Sequence, residues 1–317
     1  MRWVLMFAGQ GSQYYGMGRA LMRQEPSFAA TVRQGSDYLH SLIERDLIAE
    51  CMAIPPSSTP LDDILLSHAG LVIIQVALAR TLQAQGVVAD AVWGNSVGEY
   101  AAAVTAGCYD FEDAIYLATQ QALLLQQHCQ PGALLAVLAD RPTLDQCLPE
   151  YTLAAVHFNS HHVLSGTVAD VQAWQATLEQ QGITTERLPV HYGFHSAAID
   201  PARATILATQ RERALQPSNC AYHSSLLASE CMDGPQSEAH FWAAIRQPIH
   251  FQARYQQLAD HQTRFIDLSP TATLTTFCKY NTPAGQPLPC YPVLNPWAPK
   301  HNGIQAIKQH HTARGAA

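Results

Sequence analysis

Gly94-Asn95-Ser96-Val97-Gly98 is a G-x-S-x-G with a strand-like apolar run before it and a helical pattern of small residues after it. That context suits a nucleophile elbow, a tight strand-to-helix turn that exposes a serine hydroxyl at a helix N-terminus. There the backbone N–H of Val97 can face a developing oxyanion, with the helix dipole in support. The plainer alternative is a serine that caps an ordinary helix. A serine at its free pKa is a weak nucleophile and needs a base. Fifteen histidines compete for that role. His195, in Tyr192-Gly193-Phe194-His195-Ser196, follows the last strand of a distinct middle segment. The pairs His161-His162 and His310-His311 read as solvated loop or tail residues. Residue types alone do not choose among them.

The elements that must position these groups read as a large α/β core. A strand over 3–7 runs into the glycine-rich turn Gly9-Gln10-Gly11-Ser12-Gln13. Helical patterns follow over 17–40, interrupted at Pro26, and over 69–85, where Leu71, Ile74, Ala77, Leu78 and Leu82 recur at helical spacing. Between them a proline-containing stretch over 54–60 is a loop. A strand over 88–93 leads into the elbow, and recurring strand, turn and helix indicate a sheet with helices on both faces. From about residue 132 the pattern changes to strand (134–138), helix (143–148), strand (153–158), strand (162–165), helix (170–181) and strand (185–188). That βαββαβ order is the ferredoxin-like motif and marks an inserted subdomain. A helix over 201–214 and a strand over 264–267 resume the first style. The expected division is a large domain of residues 1–130 and 193–300, a small one of 131–192, and a loosely held polar tail over 301–317.

Composition narrows the function classes. Of 317 residues, 48% are hydrophobic and 14% charged, the latter well below the roughly 25% of an average domain. Eighteen basic against 25 acidic side chains leave a net charge of −7, without basic runs, so nucleic acid is not the expected partner. Disorder is excluded by the high hydrophobicity. No stretch of about 18 uninterrupted apolar residues suggests a membrane span, and the apolar start is too short for a signal peptide. Eight scattered cysteines without a C-x-x-C pair read as reduced thiols of a cytoplasmic protein, with no metal site.

Phe7-Ala8-Gly9-Gln10-Gly11-Ser12-Gln13, Gly94-Asn95-Ser96-Val97-Gly98-Glu99-Tyr100 and Gly193-Phe194-His195-Ser196 occur in this order. Together they resemble the malonyl-CoA:acyl carrier protein transacylase family, which includes the acyltransferases of fatty acid and polyketide synthases. Gln247-Pro248-Ile249-His250-Phe251 and Asp267-Leu268-Ser269-Pro270 resemble two weaker segments of that family. The resemblance implies a hydrolase-like α/β core with an inserted ferredoxin-like subdomain. It implies Ser96 as nucleophile, His195 as general base and acid, and the backbone N–H groups of Gln10 and Val97 as oxyanion hole. In that family a backbone carbonyl, not a carboxylate, orients the histidine. Asn159 matches a pocket-lining asparagine of the small subdomain.

Three departures bear on the substrate. Members that use malonyl groups carry an arginine on the helix after the elbow, where its fork pairs with the free carboxylate. Gln121 stands in that place here. Asn95 replaces the histidine that usually precedes the nucleophile, and Ser67-His68-Ala69 stands where the family has Thr-Gln-Pro. Tyr192-Gly193-Phe194-His195 mixes the malonyl-type and methylmalonyl-type motifs and so decides nothing about the substrate. Gln121, Asn95, His68, Asn159, Phe194 and Tyr192 are therefore the expected pocket residues. The expected activity is removal of acetyl or another uncharged acyl group from carrier-protein thioesters, as in the stand-alone acyl hydrolases of polyketide assembly lines. The alternative is a discrete acyltransferase that loads a carrier protein from CoA. A carrier-docking relative without activity and a lipase-like esterase fit the motifs less well. No cofactor is expected beyond the phosphopantetheine or CoA that carries the acyl group. The expected partner is an acyl carrier protein, met by a monomer.

Overall fold

A computed structural model describes residues 1–54, 61–226, 235, 237–287, 289–296 and 303–312. It has strands β1 (Arg2–Phe7), β2 (Ala91–Gly94), β3 (Gly132–Val137), β4 (Thr152–Phe158), β5 (His161–Thr167), β6 (Thr185–Arg187), β7 (Ala221–Ser224), β8 (Ile249–His250), β9 (Thr263–Asp267) and β10 (Cys290–Pro292). They form two five-stranded sheets. The first, in the order β10-β9-β1-β2-β7, is parallel throughout. Its central strand β1 is the run Trp-Val-Leu-Met-Phe, buried at every one of those positions. Unbroken hydrophobicity without alternation is what a strand covered on both faces requires.

The second sheet has the order β6-β3-β5-β4-β8. Its first four strands pair antiparallel and come from the βαββαβ segment. Numbered within that segment they lie 4-1-3-2, the ferredoxin-like arrangement. The fifth, β8, comes from a later part of the chain and pairs parallel with β4 through Ala155–Ile249 and Val156–His250.

The 21-residue helix Ile64–Ala84 is apolar nearly all round and buried along most of its length. Asp63 caps it, its carboxylate taking the N–H groups of Leu65 and Leu66. By length and composition it could cross a membrane, yet 89% of its most apolar window is buried inside the molecule, as in a core helix.

Four local expectations change. Pro26 starts a helix (Pro26–Ile43) after the short Leu21–Gln24 instead of interrupting one, since a first-turn proline loses no helical hydrogen bond. The strand expected over 88–93 is Ala91–Gly94, and Val88 is exposed. The helix expected over 201–214 is a 3-10 turn, Ala197–Ala202, followed by Arg203–Gln210. The described part of the polar tail is a helix, Gly303–Thr312, whose Ile304 and Ile307 are buried in the main core. Two isoleucines at i and i+3 form one apolar stripe, enough to dock a helix that is otherwise polar. The seven described cysteines are free thiols; Cys231 and most of the loop over 54–60 lie outside the described residues.

Candidate active site

β2 ends at Gly94, and the chain turns through Asn95 and Ser96 into the helix Gly98–Thr105. Ser96 has φ 54°, the left-handed region that an L side chain enters only at a cost of about 1–3 kcal/mol. Close packing holds it there. A Cβ on Gly98 would run into the Phe7 carbonyl at the end of β1, and one on Gly9 would lie 2.8 Å from the Ser96 Cβ. The two glycines let the elbow and the first glycine-rich turn nest together. Buried Asn95 secures the turn: its Nδ2 donates to the Phe7 carbonyl at 3.2 Å, and its Oδ1 accepts from the Ser225 hydroxyl. Below it Glu99, also buried, accepts from the hydroxyls of Tyr222 and Ser224 and lies 3.1 Å from His240 Nε2.

His195 meets Ser96 from the other side, Nε2 to Oγ 3.2 Å. Its own φ is 60°, and its N–H donates to the Ile245 carbonyl. The Nδ1 lies 2.7 Å from the Gln247 carbonyl. A carbonyl can only accept, so Nδ1 carries the proton and the Nε2 lone pair faces the serine. Burial pushes the His195 pKa down to about 4, with the Gln247 carbonyl opposing, so the imidazole is neutral at pH 7 and can take a proton.

Gln75, the buried polar residue in the middle of the long apolar helix, fixes the turn that faces the elbow. Its Oε1 takes the Ala8 N–H and its Nε2 donates to the Ala8 carbonyl. Next to it, Gln10 Nε2 donates to Ser67 Oγ. Among the described hydrogen bonds, neither the Gln10 N–H nor the Val97 N–H has an acceptor in the protein. Both remain available to an oxygen that develops charge beside Ser96.

A cavity of about 370 Å³ opens over Ser96. Gln10, Asn95, Ser96, Phe194 and His195 line it, together with His157, His161, Glu186 and Phe277, none of which was among the expected pocket residues. No lysine or arginine is among the described residues that line it.

Four expected pocket residues lie elsewhere. Asn159 sits at the exposed turn between β4 and β5, where it accepts from Gln252, and the inward-facing place on β4 belongs to His157, two residues earlier. Tyr192 packs edge-on against Phe194, outside the lining. His68 is buried against Phe194 with neither ring nitrogen bonded, and burial lowers its pKa to about 3. Gln121 belongs to a buried polar chain: Gln210 donates to the Tyr100 hydroxyl, which donates to Gln121 Oε1. In this closed packing neither His68 nor Gln121 reaches the cavity. The expectation that His161 and His162 are solvated loop residues fails as well. Both lie in β5, His161 facing the cavity and His162 bonded through Nδ1 to the Ala139 carbonyl.

A strained serine, a neutral histidine held by a carbonyl, and two open N–H groups form an acyl-transfer constellation. A family model described as the acyl transferase domain matches residues 4–315. The chain belongs to that family. This acyl transferase domain is 32% identical over 315 residues to the polyketide biosynthesis acyltransferase homolog PksD of Bacillus subtilis (strain 168), covering 98% of this chain and 96% of that one. It is 33% identical over 312 residues to the homolog BaeD of Bacillus velezensis, covering 96% and 95%. Among solved structures, the acyltransferase domain of the second salinomycin polyketide synthase module superposes with a TM-score of 0.82 at 28% identity, over 96% of this chain and 72% of that one. The protein is thus an acyltransferase-family enzyme of the polyketide synthase type.

Proposed function

We propose that this enzyme takes an uncharged acyl group from a carrier-protein thioester onto Ser96 and releases it to water. The lining of the cavity carries this reading. An acyl group that ends in a carboxylate would enter a space whose described walls offer no cation and whose ionisable walls are one carboxyl, Glu186, and imidazoles held neutral by burial. An unpaired carboxylate there would lose several kcal/mol of solvation without recovering it. Acetyl or a longer uncharged chain meets Leu134, Ala136, Val163 and Leu188 instead.

In the proposed cycle the Ser96 hydroxyl gives its proton to His195 Nε2 as Oγ bonds to the thioester carbonyl carbon. The Gln10 and Val97 N–H groups hold the oxyanion. The carbon–sulfur bond then breaks, and His195 returns the proton to the departing thiolate. Water repeats the sequence on the acyl-Ser96 ester, freeing the acid and the serine. The cavity adjoins a second hollow that reaches the surface and gives an acceptor, water or a carrier thiol, a way in. The names of the two Bacillus relatives favour a second reading, in which a carrier thiol is the acceptor and the same residues load an acyl unit.

Incubation with acetyl- and malonyl-loaded carrier protein, followed by intact-mass analysis, tests this. Acetyl should be lost faster and appear as free acetate, and Ser96→Ala should lose neither. Stable transfer of malonyl to a second carrier protein would overturn the reading.

A further inference from the structure

Glu186 is the one carboxyl among the described residues that line the cavity over Ser96. It also lines the neighbouring hollow of about 410 Å³, which continues past Leu138 and Tyr280, both exposed at the surface. Among the described residues only Ala136, His161 and Phe277 share both walls with it, so Glu186 stands where the two spaces join. The strand puts it there. Successive side chains of a strand face opposite ways. Glu186 shares its face with Leu188, another cavity residue, and with Ala136, its partner across the pairing of β6 with β3. Alternation sends Arg187 the other way, and it lines neither hollow.

The charge of Glu186 is uncompensated. Among the described residues its carboxylate has no hydrogen-bond or ion-pair partner. No lysine or arginine is among the described residues of either wall; Lys279, 5.9 Å from the Tyr280 ring at the outer rim, lines neither. The imidazoles bring no positive charge, because burial and the neighbouring His161 hold His157 well below the ordinary histidine range, and burial lowers His161 and His195 to about 4. Glu186 itself is exposed, so water still solvates it. A lone fixed charge sorts substrates by their own charge. It repels a terminal carboxylate, attracts a terminal ammonium and ignores a hydrocarbon end, and added salt weakens both effects. A wall that merely lacks a cation would penalise an anion without rewarding a cation.

We propose that Glu186 sets the charge preference of this enzyme, turning away acyl groups that end in a carboxylate and favouring those that end in an ammonium, the aminoacyl class. It is a specificity-determining residue and need not touch the reacting atoms. This rests on the thioester reading above, but not on water as the acceptor.

The test compares N-acetylcysteamine thioesters of three acyl groups of similar size, butyryl (neutral), β-alanyl (cationic) and malonyl (anionic), with kcat/KM read as thiol release. Comparing ratios to butyryl between proteins cancels the intrinsic reactivity of each thioester. Glu186→Gln should raise the malonyl-to-butyryl ratio about three- to tenfold and lower the β-alanyl-to-butyryl ratio by a similar factor, the worth of two unit charges roughly 8 Å apart at an effective dielectric of about 40. Glu186→Lys should move both ratios further in the same directions. In the wild type, raising salt from about 0.05 M to about 0.5 M should shift both ratios as Glu186→Gln does, and should leave those of Glu186→Gln unmoved. Damage to the fold has no reason to move the two ratios in opposite directions. Ratios that keep their wild-type values in Glu186→Gln overturn the proposal, as do ratios that move together. The salt series needs no variant and decides alone if one does not fold: wild-type ratios indifferent to salt reject the proposal. A wild type that releases thiol from none of the three sinks the thioester reading and this inference together, whereas acyl transfer to a carrier instead of water overturns only the hydrolysis.

Discussion

Gln75 holds Ala8 from both sides, its Oε1 2.6 Å from the Ala8 nitrogen and its Nε2 3.0 Å from the Ala8 oxygen. The Ala8 peptide lies two residues before Gln10, so one side chain sets the path of the turn that presents the Gln10 N–H. Gln75→Leu should leave two buried backbone groups unsatisfied, each costing about 1–3 kcal/mol, and let the turn shift. Urea denaturation should show that loss, and thiol release from an acetyl thioester should slow at least about tenfold, since one oxyanion donor is commonly worth more than that. A wild-type rate in this variant would separate Gln75 from the site. The sequence shows Gln75 as a polar break in Leu71-Val72-Ile73-Ile74-Gln75-Val76-Ala77, a signal a reader could have used. The Gln247 carbonyl gave none, because every residue has a carbonyl. His157 was missed because Asn159, two places on, has the side chain that the resemblance suggests, yet alternation carries the chain past the cavity edge before that position.

The elements were most legible where one constraint dominates. β1 announces itself by unbroken hydrophobicity, the helix Ile64–Ala84 by apolar residues at helical spacing, and the βαββαβ segment by its alternating periods. The two-residue β8 and the helix Gly303–Thr312 were not legible. A strand that short has no period, and two isoleucines among polar residues look like a surface stretch until the core they cover is known. Ile307 is fully buried, so Ile307→Ala should lower stability by about 2–4 kcal/mol. Chemical denaturation with an unchanged m-value would measure it. A loss below about 0.5 kcal/mol would place the residue on a surface instead.

Across the whole molecule, burial is the common cause of depressed histidine pKa values. His68 is lowered to about 3, His161, His195 and His223 to about 4, and His157 well below the ordinary 6.5. In each the folded state resists a proton that the unfolded chain accepts. The stability they contribute is complete above about pH 6.5 and is lost as pH falls towards 4. Buried Asp267, whose carboxyl is raised, works the other way, favouring the fold at low pH, but it is one group against five. Each fully titrating histidine changes stability by about 1.4 kcal/mol per pH unit, so the protein should unfold cooperatively in mild acid, near pH 5. Circular dichroism against pH, with a urea series at each step, would show this; a flat profile from pH 7 to 4.5 would contradict it. The parallel pairing of β8 with β4 has a consequence of its own. Gln247, whose carbonyl sets the His195 tautomer, lies two residues before β8, and β8 is stitched to the small sheet. Ser96 leaves β2 of the large sheet. His195 is thus tethered to one sheet and Ser96 to the other, so their 3.2 Å separation is a gauge of how the two sheets are seated. A jaw that gapes to admit its cargo would, by the same displacement, take its own trigger off.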